Sequence, residues 1–167
     1  MDELLEKLKS LLRVEEGERL KPYPDSQKHM TICDGWNMDA RPLPSEMASC
    51  LRVNGQLTHD MCEQLLDITA GAAVKDCEDC FPHYEEWTLT RRAAVADLMF
   101  NMGQREIENG FTSFCRALNA EDWQWAADEI KYVNGHTKTK LSAYWAELHG
   151  ERADSRPARM YQMILQG

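Results

Sequence analysis

The sequence predicts an α+β fold of two lobes, in which a small β-hairpin lobe is joined by a long helix to a mainly α-helical lobe. Three observations carry that expectation. Leu4, Leu5, Leu8, Leu11 and Leu12 make one apolar stripe at helical spacing, and Gly17 ends it. Pro22, Pro24, Gly35, Pro42, Pro44 and Gly55 then crowd a stretch that reads as a loop-rich sheet. After Pro82 the chain carries helix signals to its last residues. Its 167 residues fit one domain rather than two independent ones.

The elements follow in order. Short β-compatible pieces lie around Leu20 to Tyr23 and Met30 to Ile32. Thr58 offers an N-cap for a helix whose Met61, Cys62, Leu65, Ile68 and Ala72 face one way, and which runs to about Cys80. That length suits a connector between lobes. Thr90 is the expected cap of a helix through Val95, Leu98, Met99 and Met102, with Gly103 at its C′ position. Further helices are expected from Ser113 to Leu118, Asp122 to Val133, Leu141 to Leu148 and Ser155 to Leu165. Pro157 falls in the first turn of the last one, where a missing N–H costs little. The implied boundaries are about 15–57 for the β lobe, 58–80 for the connector, and 1–14 with 81–167 for the helical lobe.

Composition narrows the function classes. No apolar run approaches the roughly 20 residues of a membrane span, so stable membrane insertion is not expected. Asp2, Glu3 and Glu6 stand where a secretory signal needs positive charge, which points to synthesis without export by that route. A net charge of −9 opposes binding through phosphate neutralisation, so nucleic acid is not an expected partner. The six cysteines, Cys33, Cys50, Cys62, Cys77, Cys80 and Cys115, read as free thiols in a reducing cytosol. Cys77-x-x-Cys80 with His83 leaves a metal or redox reading open, but zinc wants four ligands and no second pair stands at matching spacing. His29, His59, His83, His136 and His149 form no metal-like pair.

Chemistry concentrates where the first helix meets the sheet. Glu16 ends the helix, Asp25 follows in a Pro-flanked turn, and Thr31 lies in the next β-compatible piece. An acid to protonate a leaving oxygen and a base to activate water are what glycosidic hydrolysis requires.

The surrounding residues sharpen this. Glu16-Gly17, Tyr23 shortly before Asp25, and the hairpin Thr31-Ile32-Cys33-Asp34-Gly35 follow one pattern. Downstream stand Asp67-Ile68, Arg91-Arg92-Ala93-Ala94-Val95, Phe100-Asn101-Met102-Gly103, Phe111 and Gly150-Glu151-Arg152-Ala153. Together they resemble the phage-type lysozymes of glycoside hydrolase family 24, in order and over nearly the whole chain. The resemblance implies a lysozyme-like fold, with Glu16 as general acid, Asp25 as general base and Thr31 as positioner of the attacking water. Glu15 is the rival acid, about a third of a turn away on the helix. It further implies Phe100, Asn101 and Phe114 as residues lining a sugar groove, although a Phe at helical spacing also suits a core. Arg152 would pair with Glu16, with Arg156 as the alternative. Trp123, Trp125 and Trp145 read as bundle anchors.

The activity so implied is inverting cleavage of the β-1,4 bond between N-acetylmuramic acid and N-acetylglucosamine in peptidoglycan, with no cofactor. The role implied is that of an endolysin, a monomer made in the host bacterial cytoplasm that reaches the wall through a separate holin-type pore. A virion-borne entry lysozyme and a non-catalytic saccharide-binding or structural module of the same fold are the rival readings. Two positions depart from the pattern. Cys33 stands where the family hairpin has its first glycine, and Asp34 fills the variable position beside it. A negative φ is expected at Cys33, since a side chain at positive φ is strained.

Overall fold

The leucine stripe forms α1 (Asp2–Glu16), with Leu4, Leu8 and Leu12 buried at the i, i+4, i+8 positions of one face. The computed structural model describes residues 2–25 and 28–167, apart from the side chains of Asp2, Glu15 and Glu16. It divides into two units. One is Leu5–Ala72, and the other is Ala73–Gly167 with the first residues of α1. Residues 5–14 therefore group with the sheet, where the sequence boundaries set them with the later helices.

In the first unit, β1 (Tyr23–Pro24), β2 (Met30–Ile32) and β3 (Trp36–Asn37) form an antiparallel sheet in that order. Tyr23 lies opposite Thr31, and Ile32 opposite Trp36. Ile32, Cys33, Trp36, Met47, Leu57, Cys62 and Leu65 form the core beneath it. Met47 comes from α2 (Ser45–Asn54), a helix that the Pro- and Gly-rich reading of this stretch does not anticipate. Its punctuation is terminal rather than disruptive. Pro44 is the N-cap residue, and Gly55 closes the helix in the left-handed conformation at φ 70°.

The connector is α3 (His59–Cys80), and Thr58 caps it by accepting from the Met61 N–H at 3.2 Å. Its buried positions Cys62, Leu66, Ala70, Ala73 and Cys77 recur every three or four residues. Ile68 falls off that stripe and is exposed, contrary to expectation. Lys9 pins α1 to α3. Its buried ammonium lies 2.6 Å from Glu63 and Asp67 and 2.7 Å from Glu6. Arg13, one turn further along α1, also pairs with Glu63.

In the second unit a 3-10 turn, Tyr84–Glu86, precedes α4 (Leu89–Met102), whose residues Ala93 to Met99 are all buried. Thr88, not Thr90, caps α4, because the helix begins at Leu89 and only Thr88 stands outside its first turn. Next come α5 (Gln104–Gly110), α6 (Thr112–Asn119), α7 (Trp123–Lys131), α8 (Ala143–Glu147) and α9 (Arg156–Gln166). The sequence reading lacks α5, since seven residues with Ile107 alone buried show no periodicity. Asp122, Ser142 and Ser155 cap α7, α8 and α9 through their side chains. The tryptophans act as anchors. Trp123 packs edge-on to Trp87 at 5.4 Å and Trp145 to Tyr161 at 5.8 Å. Gly150 lies so close under Trp145 that a Cβ there would stand 2.2 Å from the indole ring. Among the described residues no helix is long and apolar enough to cross a membrane.

The Glu63 carboxyl is held below its ordinary pKa of 4.5, first by the hydrogen bond from Arg13 and then by Lys9. A carboxylate lowered in the folded state contributes stability that is intact above its unfolded pKa and lost as pH falls through the folded one. Glu63→Gln should therefore lower the melting temperature at neutral pH and flatten its decline below pH 4.5. Superimposable acid limbs for the two proteins would show that these contacts contribute nothing.

Candidate active site

Asp25 and Thr31 are both fixed to the main chain of His29. The His29 N–H donates to Asp25 Oδ1 at 2.8 Å, and Thr31 Oγ1 donates to the His29 carbonyl at 3.2 Å. The backbone supports this arrangement, because Asp25 N–H donates to His29 O at 2.9 Å and Lys28, at φ 70°, donates back to Asp25 O. Both side chains thus lie at one end of the β1–β2 hairpin. Asp25 is half-buried and Thr31 is buried. Glu16 is the last residue of α1, but its side chain and that of its rival Glu15 lie outside the described residues.

The β2–β3 turn corrects two expectations. Cys33 has φ 55°, in the left-handed region, rather than the negative φ expected. Cys33 opens the three-residue link between the paired residues Ile32 and Trp36, and Gly35, which closes it, also has positive φ, at 89°. Cys33 is also not a free thiol. It is disulfide-bonded to Cys62 of α3, across 29 residues. The remaining four cysteines are free, as expected. Closing a loop of that size stabilises a fold by about 3–4 kcal/mol, against about 1–2 kcal/mol for one side chain held in the left-handed region. The disulfide outweighs the strain. Asp34, beside Cys33, is buried within electrostatic reach of Arg13.

Neither metal candidate has the chemistry of a metal site. Glu6, Glu63 and Asp67 converge closely enough to hold a cation, and the Lys9 ammonium already lies among them. Burial lifts the Cys77 thiol far above its ordinary range and pushes Cys80 and Cys115 up to about 11, with Glu108 reinforcing the last two. Burial thus disfavours the thiolate that a redox nucleophile needs, and among the described residues Cys77 and Cys80 join no group of three possible metal ligands.

The second unit holds the other expected residues. Phe100 is half-buried and Asn101 exposed at the end of α4. Phe114 is 2% exposed, so its ring belongs to the core and offers a ligand no surface. Arg152 is exposed and pairs with Asp154 at 2.9 Å. Arg156 is buried. It grips Asp97 with two hydrogen bonds, Nε to Oδ2 at 2.8 Å and Nη2 to Oδ1 at 3.1 Å, and Nη1 donates to Asn101 Oδ1 at 3.2 Å.

A hairpin bearing this Asp and Thr, after a helix ending in Glu-Gly, is the arrangement that the family resemblance implies. The family model described as Phage lysozyme matches residues 13–145. The chain belongs to the phage lysozyme family. A relative, "Probable T4-type lysozyme 2" of Dictyostelium discoideum, is 23% identical over 151 residues, covering 81% of this chain and 88% of its own. The phage lysozyme match takes in Glu16, Asp25, Thr31, Phe100, Asn101 and Phe114, and stops before Arg152 and Arg156. Sequence reasoning missed Asp97, whose signal was an acid at a core position of α4, and the Cys33–Cys62 pair, since six cysteines allow 15 pairings.

The two arginines should behave differently. Arg156→Ala leaves Asp97, 0% exposed, as an unpaired buried charge and should cost about 3–5 kcal/mol. Arg152→Ala removes only a solvated pair and should leave the denaturant midpoint nearly unchanged. Equal midpoints for the two variants in urea would contradict this division.

Proposed function

We propose that this protein is a glycoside hydrolase that cleaves the β-1,4 bond between N-acetylmuramic acid and N-acetylglucosamine in peptidoglycan. The observation that carries this reading is the shared anchoring of Asp25 and Thr31 on His29, inside the segment matched by the lysozyme family. A hydroxyl has one hydrogen to donate and two lone pairs to accept with. Thr31 spends its hydrogen on the His29 carbonyl, so towards a water molecule it acts as an acceptor. That orients the water's hydrogen towards Thr31 and leaves its second one for Asp25, the general base. Glu16 is the general acid that protonates the departing sugar oxygen. Water attacks the face opposite the leaving group, and the anomeric configuration inverts.

Of the groove residues expected from the sequence, Asn101 and Phe100 remain as sugar contacts. The oxygen of the Asn101 amide is engaged by Arg156, so the amide offers its N–H2 to an acceptor on the sugar. The Cys33–Cys62 disulfide fits work outside a reducing cytosol, on the wall itself. Lysis of a bacterial host from within, by a monomer passing a holin-type pore, is the role that the sequence reading favours.

Glu16→Gln should abolish clearing of permeabilised bacterial cells while leaving thermal stability equal or higher, because active-site acids are held at a cost in stability. Asp25→Asn should lose at least a hundredfold, as an amide cannot take the water's proton. A Glu16→Gln protein that lyses normally, or an Asp25→Asn loss below tenfold, would remove these residues from their roles. Fresh product analysed by NMR should carry the α configuration at its new reducing end. A β-anomer would mean a covalent intermediate instead of direct displacement.

A further inference from the structure

We infer that the Cys33–Cys62 disulfide is a positioning device for the reaction: it holds the β2–β3 turn in a left-handed conformation that Cys33 alone would resist, and so sets the Thr31 hydroxyl. The inference rests on the hydrolase reading above. Three observations lead to it. Cys33 has φ 55°, a conformation natural to glycine and strained for any residue with a Cβ. Its sulfur is bonded to Cys62 on the first turns of α3, and both residues are buried, at 1% and 0% exposure. Thr31 is two residues before Cys33 in the same strand and turn, and is itself buried. Arg19 further ties the turn down, its carbonyl accepting from the Cys33 N–H at 2.8 Å.

A glycine at position 33 would take this conformation without help. Cysteine does so because the cross-link removes the alternatives. Breaking the bond with a dithiol such as dithiothreitol returns two thiols and converts the reagent to its cyclic disulfide. The turn then keeps its strain and loses its restraint, and Thr31 moves with it. Catalytic geometry is intolerant of such movement, since about 1 Å can cost a hundredfold in rate.

The test is a comparison of Cys62→Ala with the double variant Cys33→Gly/Cys62→Ala, using kcat and KM on solubilised peptidoglycan strands and melting temperature as readouts. Cys62→Ala should lower kcat about ten- to a hundredfold with little change in KM. Adding Cys33→Gly should restore most of the lost kcat, because the strain disappears. If the disulfide were only a staple, the glycine would relieve the turn and raise stability without restoring kcat. Should Cys62→Ala not fold, wild type and Cys33→Gly refolded with dithiothreitol give the same comparison. A Cys62→Ala enzyme with wild-type kcat, or a double variant no faster than the single one, overturns the inference. An oxidised wild type without hydrolysis would instead overturn the hydrolase reading. The melting temperatures then test the strain at Cys33: a double variant no more stable than Cys62→Ala means that there is nothing to restrain and refutes the inference.

Discussion

Lys9 places an ammonium, 4% exposed, among the carboxylates of Glu6, Glu63 and Asp67. Burial by itself would favour losing the charge, but the hydrogen bonds that the ammonium donates to the three carboxylates more than offset this and raise the pKa above its ordinary value. The charge is therefore kept, and α1 is held against α3 at the level of Glu63 and Asp67. Cys62, one residue earlier on α3, fixes the hairpin by a covalent bond. Residues 62–67 of α3 thus serve as the common reference for two things. They set the line of the helix that ends at Glu16, and they set the turn that follows Thr31.

This explains why the fold was more legible than the site. Amphipathic spacing betrayed α1, and Thr58, Asp122 and Ser155 marked helix starts by a local rule that tertiary structure did not override. Pro44 and Gly55 misled because the same residues punctuate loops and bracket helices, and α2 fits between them. The positions of Asp25 and Thr31 were readable through the family pattern. Their joint attachment to His29 was not, because it depends on main-chain groups that any residue would supply. Cys33 shows the limit most clearly. A cysteine at a glycine position reads as something to be avoided at positive φ. Only the proximity of Cys62, a tertiary fact, turns that position into a tolerable one.

The second unit relies on a different kind of polar contact. Asp97 lies at a fully buried position of α4, and Arg156 at the first turn of α9 matches both of its oxygens. A buried pair of this geometry contributes less to net stability than to uniqueness, since either partner alone would be intolerable there. Its by-product is at the surface: the remaining guanidinium nitrogen fixes which end of the Asn101 amide points outward. A core choice on α4 therefore controls the hydrogen-bonding character of an exposed residue one turn later.

Arg91 has a bearing on how the chain is made. Its guanidinium stacks over Trp123 at 4.2 Å and donates to the carbonyls of Ile164 and Leu165, which terminate α9. Those acceptors are 73 and 74 residues downstream. On the ribosome, α4 is complete while α9 is still untranslated, and closing such a distant contact is slow. Until then the faces of α4 and α7 against which α9 packs have no cover from it. Vectorial synthesis thus leaves the helical unit incomplete until its last helix has cleared the exit tunnel.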